Sequence, residues 1–365
     1  MSWRYYLQSL PSGEWISKDL KDFSGGQVLT ALSAPASISG TLPVEFKDLK
    51  LADGSIAIRE WGCLLIAEQE GYAPVCGIVD GVRVEGESLA ITAGGFSMYP
   101  NGIPWLAEDF AGIEVDPLDM VRKIWAHLQS FTDGNLGVKV DALKSPIRVG
   151  EEERTVEFTT GDGSAVEFET GPFRLAWWAT DDLGKVFADI FSDHPLAYRE
   201  RSYWEDEEIK HRLELGYPVL GVRRQNLRFE IGVNVIEAPP AEDMDYASEV
   251  LLMGAGEGRT KVRATQAKST GRLRRVLVET DSSITSKKAA QAAAKPLMEG
   301  LAGGFGIDSV VLVDHENARF SEFEAGDEIF IQGDAGWIQL AHWVRIEDMT
   351  DDADTGVRTC KVVTV

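Results

Sequence analysis

The chain is short of cysteine, of basic residues and of long apolar runs. Its three cysteines, Cys63, Cys76 and Cys360, are an odd number without repeated spacing. That excludes a disulfide framework and a structural zinc site. Cys63 and Cys76 sit in the apolar contexts WGCLLI and APVCGIV and read as core-packed free thiols. Lys and Arg number 36 against 59 Asp and Glu, a net charge of −23. Such a field repels nucleic acid and anionic membrane, which excludes conventional DNA binding. It suits a surface past which DNA slides without sticking, and it serves solubility equally well. No stretch approaches the about 18 apolar residues of a membrane helix. The start, MSWRYYLQSLPSGEW, has no apolar run of signal-peptide length. A cytoplasmically made protein that does not span a membrane is expected.

Catalytic motifs are absent too. The five histidines, His127, His194, His211, His315 and His342, form neither H-E-x-x-H nor a close pair. Asp314-His315-Glu316 offers three metal-ligand types, but adjacent residues point in different directions, so a turn with solvated polar groups is the reading. His127 is placed at the surface or boundary of a helix. Gly95-Phe96-Ser97-Met98-Tyr99 misses the nucleophile elbow at its last glycine. Paired carboxylates carry no information among 59 acids. No catalytic residue, cofactor or metal is expected.

What is present is 365 residues of ordinary globular composition, 44% hydrophobic and 26% charged. That length suggests two or three domains and suffices to bury roughly 75% of the unfolded surface. The first 115 residues read as β: TLPVEF, IAIREW, CLLIAEQ, PVCGIV, VRVEG and LAITAG, with Asp53-Gly54 and Asp80-Gly81 as tight turns. This spacing favours a barrel or sandwich. A helix follows, capped by Asp116 with Pro117 in its first turn. Leu118, Val121, Ile124, Trp125 and Leu128 form its apolar face. RTVEFTT and SAVEFET flank Gly161-Asp162-Gly163 as a hairpin over 151–170. A second helix spans about Asp182 to Asp193, with Asp181 as its cap and His194-Pro195 as its stop. Strands resume at 209–217 and 220–236, and 238–243 is the best linker. SEVLLMG, TKVRATQ and RLRRVLVET read as three successive strands. An Ala-rich helix runs from Thr285 to about Leu301, with Pro296 kinking or breaking it. Four strands finish the chain.

Gly254-Ala255-Gly256-Glu257-Gly258-Arg259 follows a strand, but a dinucleotide loop must open a helix. TKVRATQ alternates instead, so the glycines form a bend. Basic residues crowd into 259–275, where Arg259, Lys261, Arg263, Lys268, Arg272, Arg274 and Arg275 have no acid among them. Arg223, Arg224 and Arg228 form a second group. Either these strands show a solvated face, or they dock on an acidic neighbour such as another copy. Trp177-Trp178, in adjacent strand positions, must turn one ring outward. An outward tryptophan suits an interface or a satellite core.

DMVRKIWAHLQSFTDGNLGVKVD (119–141), DDLGKVFADIFSDHPLAYRERSYW (181–204), LELGYPVLGVRRQNLRFEIGVNV (213–235) and SEVLLMGAGEGRTKVRATQAKSTGRLRRVLVE (248–279) together resemble the minor tail proteins of long-tailed phages that infect actinobacteria. That family is similar to the central hubs of phage baseplates. The resemblance implies a β-rich α+β chain with two tube-like β-barrel domains and an inserted α/β region. The first barrel would be 1–115 completed by 200–238, the insertion 116–199, and the second barrel 239–365 with an embedded helix at 285–301. It implies a homotrimer at the distal tail tip of the virion, adapting a six-fold tube to a three-fold tip. Partners would be distal tail and tail tube proteins, other tail-tip proteins and the tape measure protein, with DNA only in transit. Arg223, Arg224, Lys261, Arg263, Arg272, Arg274, Arg275 and Trp178 are the candidate subunit interface. The chain ends soon after the second β segment, so an appended cell-wall-degrading domain or fibre is not expected. A tail-associated cell-wall hydrolase and a glycan- or receptor-binding tip protein are the alternatives.

Overall fold

The computed structural model describes residues 3–159, 165–239, 246–256, 258–269, 271–281, 284–301, 306–336 and 338–365, with the side chains of 155–170 and 299–301 outside the description. The expected Gly161-Asp162-Gly163 turn and most of the 238–243 linker therefore lie outside the described residues. Two compact units emerge, one of Met1–Val149, Phe173–Pro239 and Asp308–Val365, the other of Gly150–Pro172 and Pro240–Ile307.

The first unit is built on one sheet, 13-stranded among the described residues. Its first half runs Ser24–Ala31, Ser37–Pro43, Ser88–Gly94, Val75–Glu85, Cys63–Glu68, Arg4–Ser9 and Trp15–Ser17 in spatial order. This half curls on itself. Tyr5 and Leu7 from one end share a core with Val28 and Ile38 from the other, and the Tyr5 and Phe23 rings lie 4.3 Å apart. The strand Cys63–Glu68 is buried almost throughout, because both its faces are covered. Cys63, Leu65 and Ala67 point into the curl. Leu64 and Ile66 point outward to Tyr6, Trp15, Trp204 and Ile209. A continuous apolar run is the signature of a doubly covered strand.

The second half comprises Val235–Glu237, Ser309–Val313, Val357–Thr364, Gln339–Asp352, Glu328–Asp334 and Phe229–Glu230. Its outer strands approach each other through a bridge between Ile231 and Val235. Gln339–Asp352 joins the halves: residues 339–345 pair with 328–334, and residues 348–352 pair with 27–31. A register shift between Ile346 and Asp348 marks the change of partner.

The hairpin 197–216 meets the outer face of the first half through Trp204 and Ile209, and a helical layer packs on that hairpin's sheet. Pro117–Leu128 is capped by Asp116, whose Oδ1 accepts the Leu118 amide at 3.0 Å. Leu183–Ser192 is capped by Asp182 rather than Asp181, its carboxylate accepting the Gly184 and Lys185 amides. Both helices share a core with Phe96, Trp105, Leu213 and Leu215, and Val138–Val140 joins the hairpin Ala197–Glu205/Glu208–Gly216. His127 is buried, not superficial: Nε2 accepts the Leu106 amide at 3.2 Å and the ring lies 4.4 Å from Trp105.

Three expectations need correction here. Asp80-Gly81 is no turn; Val75–Glu85 runs through it with a bulge between Val79 and Gly81. The Asp80 carboxylate accepts Thr92 Oγ1 at 2.8 Å, and a Cβ on Gly81 would lie 2.4 Å from that oxygen. The chain turns instead at Gly86, at φ +64°. IAIREW forms no strand, and an isolated bridge joins Lys50 to Ile56. Strand 220–236 shrinks to Phe229–Glu230 and Val235–Glu237. The residues before it are held by specific bonds: the Val222 amide to Asp327 and the Arg224 amide to the Glu328 carbonyl, both at 2.8 Å.

The second unit holds the hairpin Arg154–Thr159/Ala165–Thr170 and a separate three-stranded sheet. The three strands placed in the second barrel by sequence thus lie outside the 13-stranded sheet. Glu249–Met253 is central, antiparallel to Arg263–Ala267 and parallel to Val276–Thr280. Helix Lys287–Leu301 covers one face, Ala290, Ala294 and Met298 meeting Val250, Leu252 and Ala264. Pro296 lies inside this helix and does not end it. The glycine-rich segment is a bend followed by the 3₁₀ turn Gly258–Thr260. A Cβ on Gly254 would meet the Ile284 carbonyl at 2.3 Å.

Candidate functional site

The first unit holds a cavity of about 150 Å³ lined by Cys76, Glu200, Ser202, Phe323, Asp351 and Arg358, among others. It lies where the strand Ala197–Glu205 passes the turn Phe320–Glu322. That strand carries Arg199, Glu200 and Arg201 in succession, so alternation sends charges to both faces. The two arginines meet Glu214 and Glu324 in a four-membered network. Arg199 Nη2 lies 2.9 Å from Glu214 and 2.8 Å from Glu324; Arg201 Nη2 lies 3.2 and 2.7 Å from the same two. Arg199 Nη1 also donates to the Ala325 carbonyl at 2.8 Å. Opposite, Arg358 makes a bidentate pair with Asp351 at 2.6 and 2.8 Å, donates to the Phe320 carbonyl, and lies 4.3 Å over the Phe320 ring.

Glu200 faces the other way, where its carboxylate accepts the amides of Ala36 and Ser97. Burial pushes it up to about 7 against the pull of those amides. A Cβ on Gly95 would fall 1.9 Å from Glu200 Oε2, which explains a glycine there. Ser202 Oγ and His211 Nδ1 are 3.0 Å apart. Burial holds His211 down at about 4, far below the range of a useful general base near neutrality. Burial likewise pushes the Cys76 thiol up to about 12, away from the thiolate that nucleophilic chemistry needs. Apart from Glu200, which is held by main-chain amides, the cavity's cations and anions are paired with one another. The arrangement clamps the hairpin 197–216 to the 320–325 segment.

Asp314-His315-Glu316 closes a turn. Asp314 accepts the Phe320 amide at 2.8 Å and pairs with Arg319 at 2.9 Å, while His315 Nδ1 accepts the Asn317 amide at 3.1 Å. Among the described residues no three His, Cys, Asp or Glu group as a metal site.

The candidate interface residues divide between the units. In the first unit Arg223 pairs with Glu328 at 2.6 Å and lies 4.6 Å over Trp343, and Arg224 pairs with the buried Asp327 at 2.7 Å. Both serve intramolecular contacts. Trp177 and Trp178 occupy a turn after Phe173–Leu175, not strand positions, and both face outward, 67% and 56% exposed. Trp178 Nε1 donates to Asp109 at 3.1 Å, and Arg174 lies 5.5 Å over its ring. In the second unit Lys261 and Arg263 flank a shallow groove with Lys287. Arg272 lies 4.6 Å over Tyr246, Arg274 pairs with Glu249, and the Arg275 carbonyl accepts the Ser248 and Glu249 amides. The cavity network went unread in the sequence. Its signal was the consecutive Arg-Glu-Arg inside a strand, which forces at least one charge inward.

These features belong to a known architecture. The 43 kDa tail protein of prophage MuSo2 from Shewanella oneidensis superposes with a TM-score of 0.57 at 12% identity, over 99% of this chain and 98% of that one. The chain has the fold of phage tail proteins. The prophage tail protein gp18 from Listeria monocytogenes EGD-e gives 0.54 at 9% identity, over 99% and 94% of the two chains. The tail protein from Neisseria meningitidis MC58 gives 0.54 at 10%, over 100% and 97%. No protein-family model and no curated protein matches the sequence. The tail-protein fold thus extends over nearly the whole chain at identities where sequence likeness has faded.

Proposed function

We propose that this chain is a non-enzymatic structural component of the virion, the hub at the distal tail tip of a long-tailed phage of actinobacteria. Three copies would place two curled sheet halves each around a channel, six in all, and so join a six-fold tube to a three-fold tip. The observation that carries the reading is the strand Gln339–Asp352, which belongs to both halves. It fixes two barrel-like walls side by side in every copy, as a symmetry adaptor requires. The tape measure protein and then DNA would pass through the channel, and tail tube and other tip proteins would flank it. A net charge of −23 keeps DNA from adhering in transit. Immunogold labelling of purified particles is expected to place the chain at the distal tail tip, and the released assembly is expected at about three times the 40.1 kDa chain mass. Absence of the chain from purified particles would overturn the reading.

A further inference from the structure

We propose that the open face of the three-stranded sheet in the second unit, with its basic rim, seats a second copy of this chain head to tail. The inference rests on the ring-forming reading above and deepens it by assigning a surface.

The helix Lys287–Leu301 covers only one face of that sheet. Alternation sends Leu251, Met253, Val276 and Val278 to the other face. Val276 and Val278 are 39% and 50% exposed, and Leu273 beside them is 90% exposed. The edge is open as well. The Gly254 amide bonds to the Val262 carbonyl and the Lys268 amide to the Ser248 carbonyl. With the antiparallel register, the even-numbered residues of this strand therefore face the central strand. Arg263, Thr265 and Ala267 turn their main-chain groups outward, where none has a main-chain partner among the described residues. An exposed edge of this kind is a ready template for another chain.

Charge selects the occupant. The run 259–275 holds seven cations and no acid. Lys261 and Arg263 have no ion pair among the described residues. The remainder of a chain of net −23 is therefore even more acidic than the whole, and a second copy offers this patch a complementary surface. A two-fold contact through this rim would set Lys261 and Arg263, cations without an ion pair among the described residues, against their own copies. Repulsion thus disfavours the self-matching arrangement and leaves the heterologous one, which closes into a ring when its rotation permits.

The test places a photo-crosslinking residue at Val278 in the full-length chain, free in solution and in particles. The expected product is a chain-to-chain adduct whose second site is an acidic segment outside 259–280. A 278-to-278 adduct, an adduct to a different protein, or no adduct in either setting would overturn the inference. Immunogold labelling judges the tail-tip reading separately, since a chain found at the tip without this adduct keeps its location and loses this interface. The Lys261→Glu/Arg263→Glu variant is expected to weaken self-association about tenfold at low salt, with the difference shrinking as salt rises. Unchanged association by this variant, folded by circular dichroism, would also overturn it.

Discussion

Glu200 and His211 are buried titratable groups whose effects on stability run in opposite directions. The folded-state pKa of Glu200 is raised from 4.5 to about 7. Its proton is thus held more tightly in the folded state. The stabilisation is fully present below 4.5 and is lost as pH rises through 7. His211 is lowered from 6.5 to about 4, so its contribution is present above 6.5 and is lost as pH falls through 4. Between about pH 4.5 and 6.5 the two slopes offset each other. Glu200→Gln is expected to unmask the His211 slope: urea stability should rise with pH across that window and show no decline through 7. A variant with the wild-type pH profile would contradict the assignment. Arg358 gives a second residue-scale test. Its side chain is 3% exposed against Asp351, and Arg358→Met leaves that carboxylate buried and unpaired. The expected cost is about 3–5 kcal/mol by denaturant titration. Arg274→Met, on the surface, should change stability little.

At the scale of elements, legibility followed how local the cause was. Both amphipathic helices of the first unit were readable because a cap and an apolar face lie within a dozen residues. The Asp181/Asp182 error is a one-residue ambiguity between two competent caps, settled by Asp182 also accepting the Gly102 amide at 2.9 Å. Asp80-Gly81 misled because the same dipeptide serves a turn or a bulge, and Thr92, twelve residues away, decides. The strand expected at 220–236 failed for a similar reason: its partners Asp327 and Glu328 lie about a hundred positions on. Pro296 shows the converse, a local breaker overridden by packing. It is exposed and follows the buried Ala294. Its ring excludes the normal bond to the Ala292 carbonyl, yet Met298 still reaches the core. Pro296→Ala restores that bond, and is expected to stabilise the second unit by about 1–3 kcal/mol, read as a higher melting temperature. A fall in melting temperature would show that the proline itself carries a packing contact.

For the whole molecule, the β-rich class was readable from composition and spacing, but the joining of the halves was not. No pattern in IQLAHWVRIEDM announces that its start pairs with 328–334 and its end with 27–31. That is a contact across more than three hundred residues. The cavity site was half legible for a related reason: Arg199 and Glu214 face each other across the hairpin 197–216, but Glu324 joins them from more than a hundred positions away. The join has a thermodynamic consequence. A loop between two barrels would let each open alone, whereas a shared strand means that opening either half strips ladder bonds from the other. Amides of Leu65 in the first half and Ile331 in the second, both fully buried, are expected to exchange with the same opening free energy. Thr350, paired with Leu29 on one side and Thr359 on the other, tests the coupling. A proline there removes a ladder donor from a central strand. Thr350→Pro should lower protection at Leu65 and Ile331 together, while Val250 in the second unit is left unchanged. Loss of protection in one half alone would mean that the strand links two independently folding barrels, and that the rigid pairing invoked for the tail tip is absent.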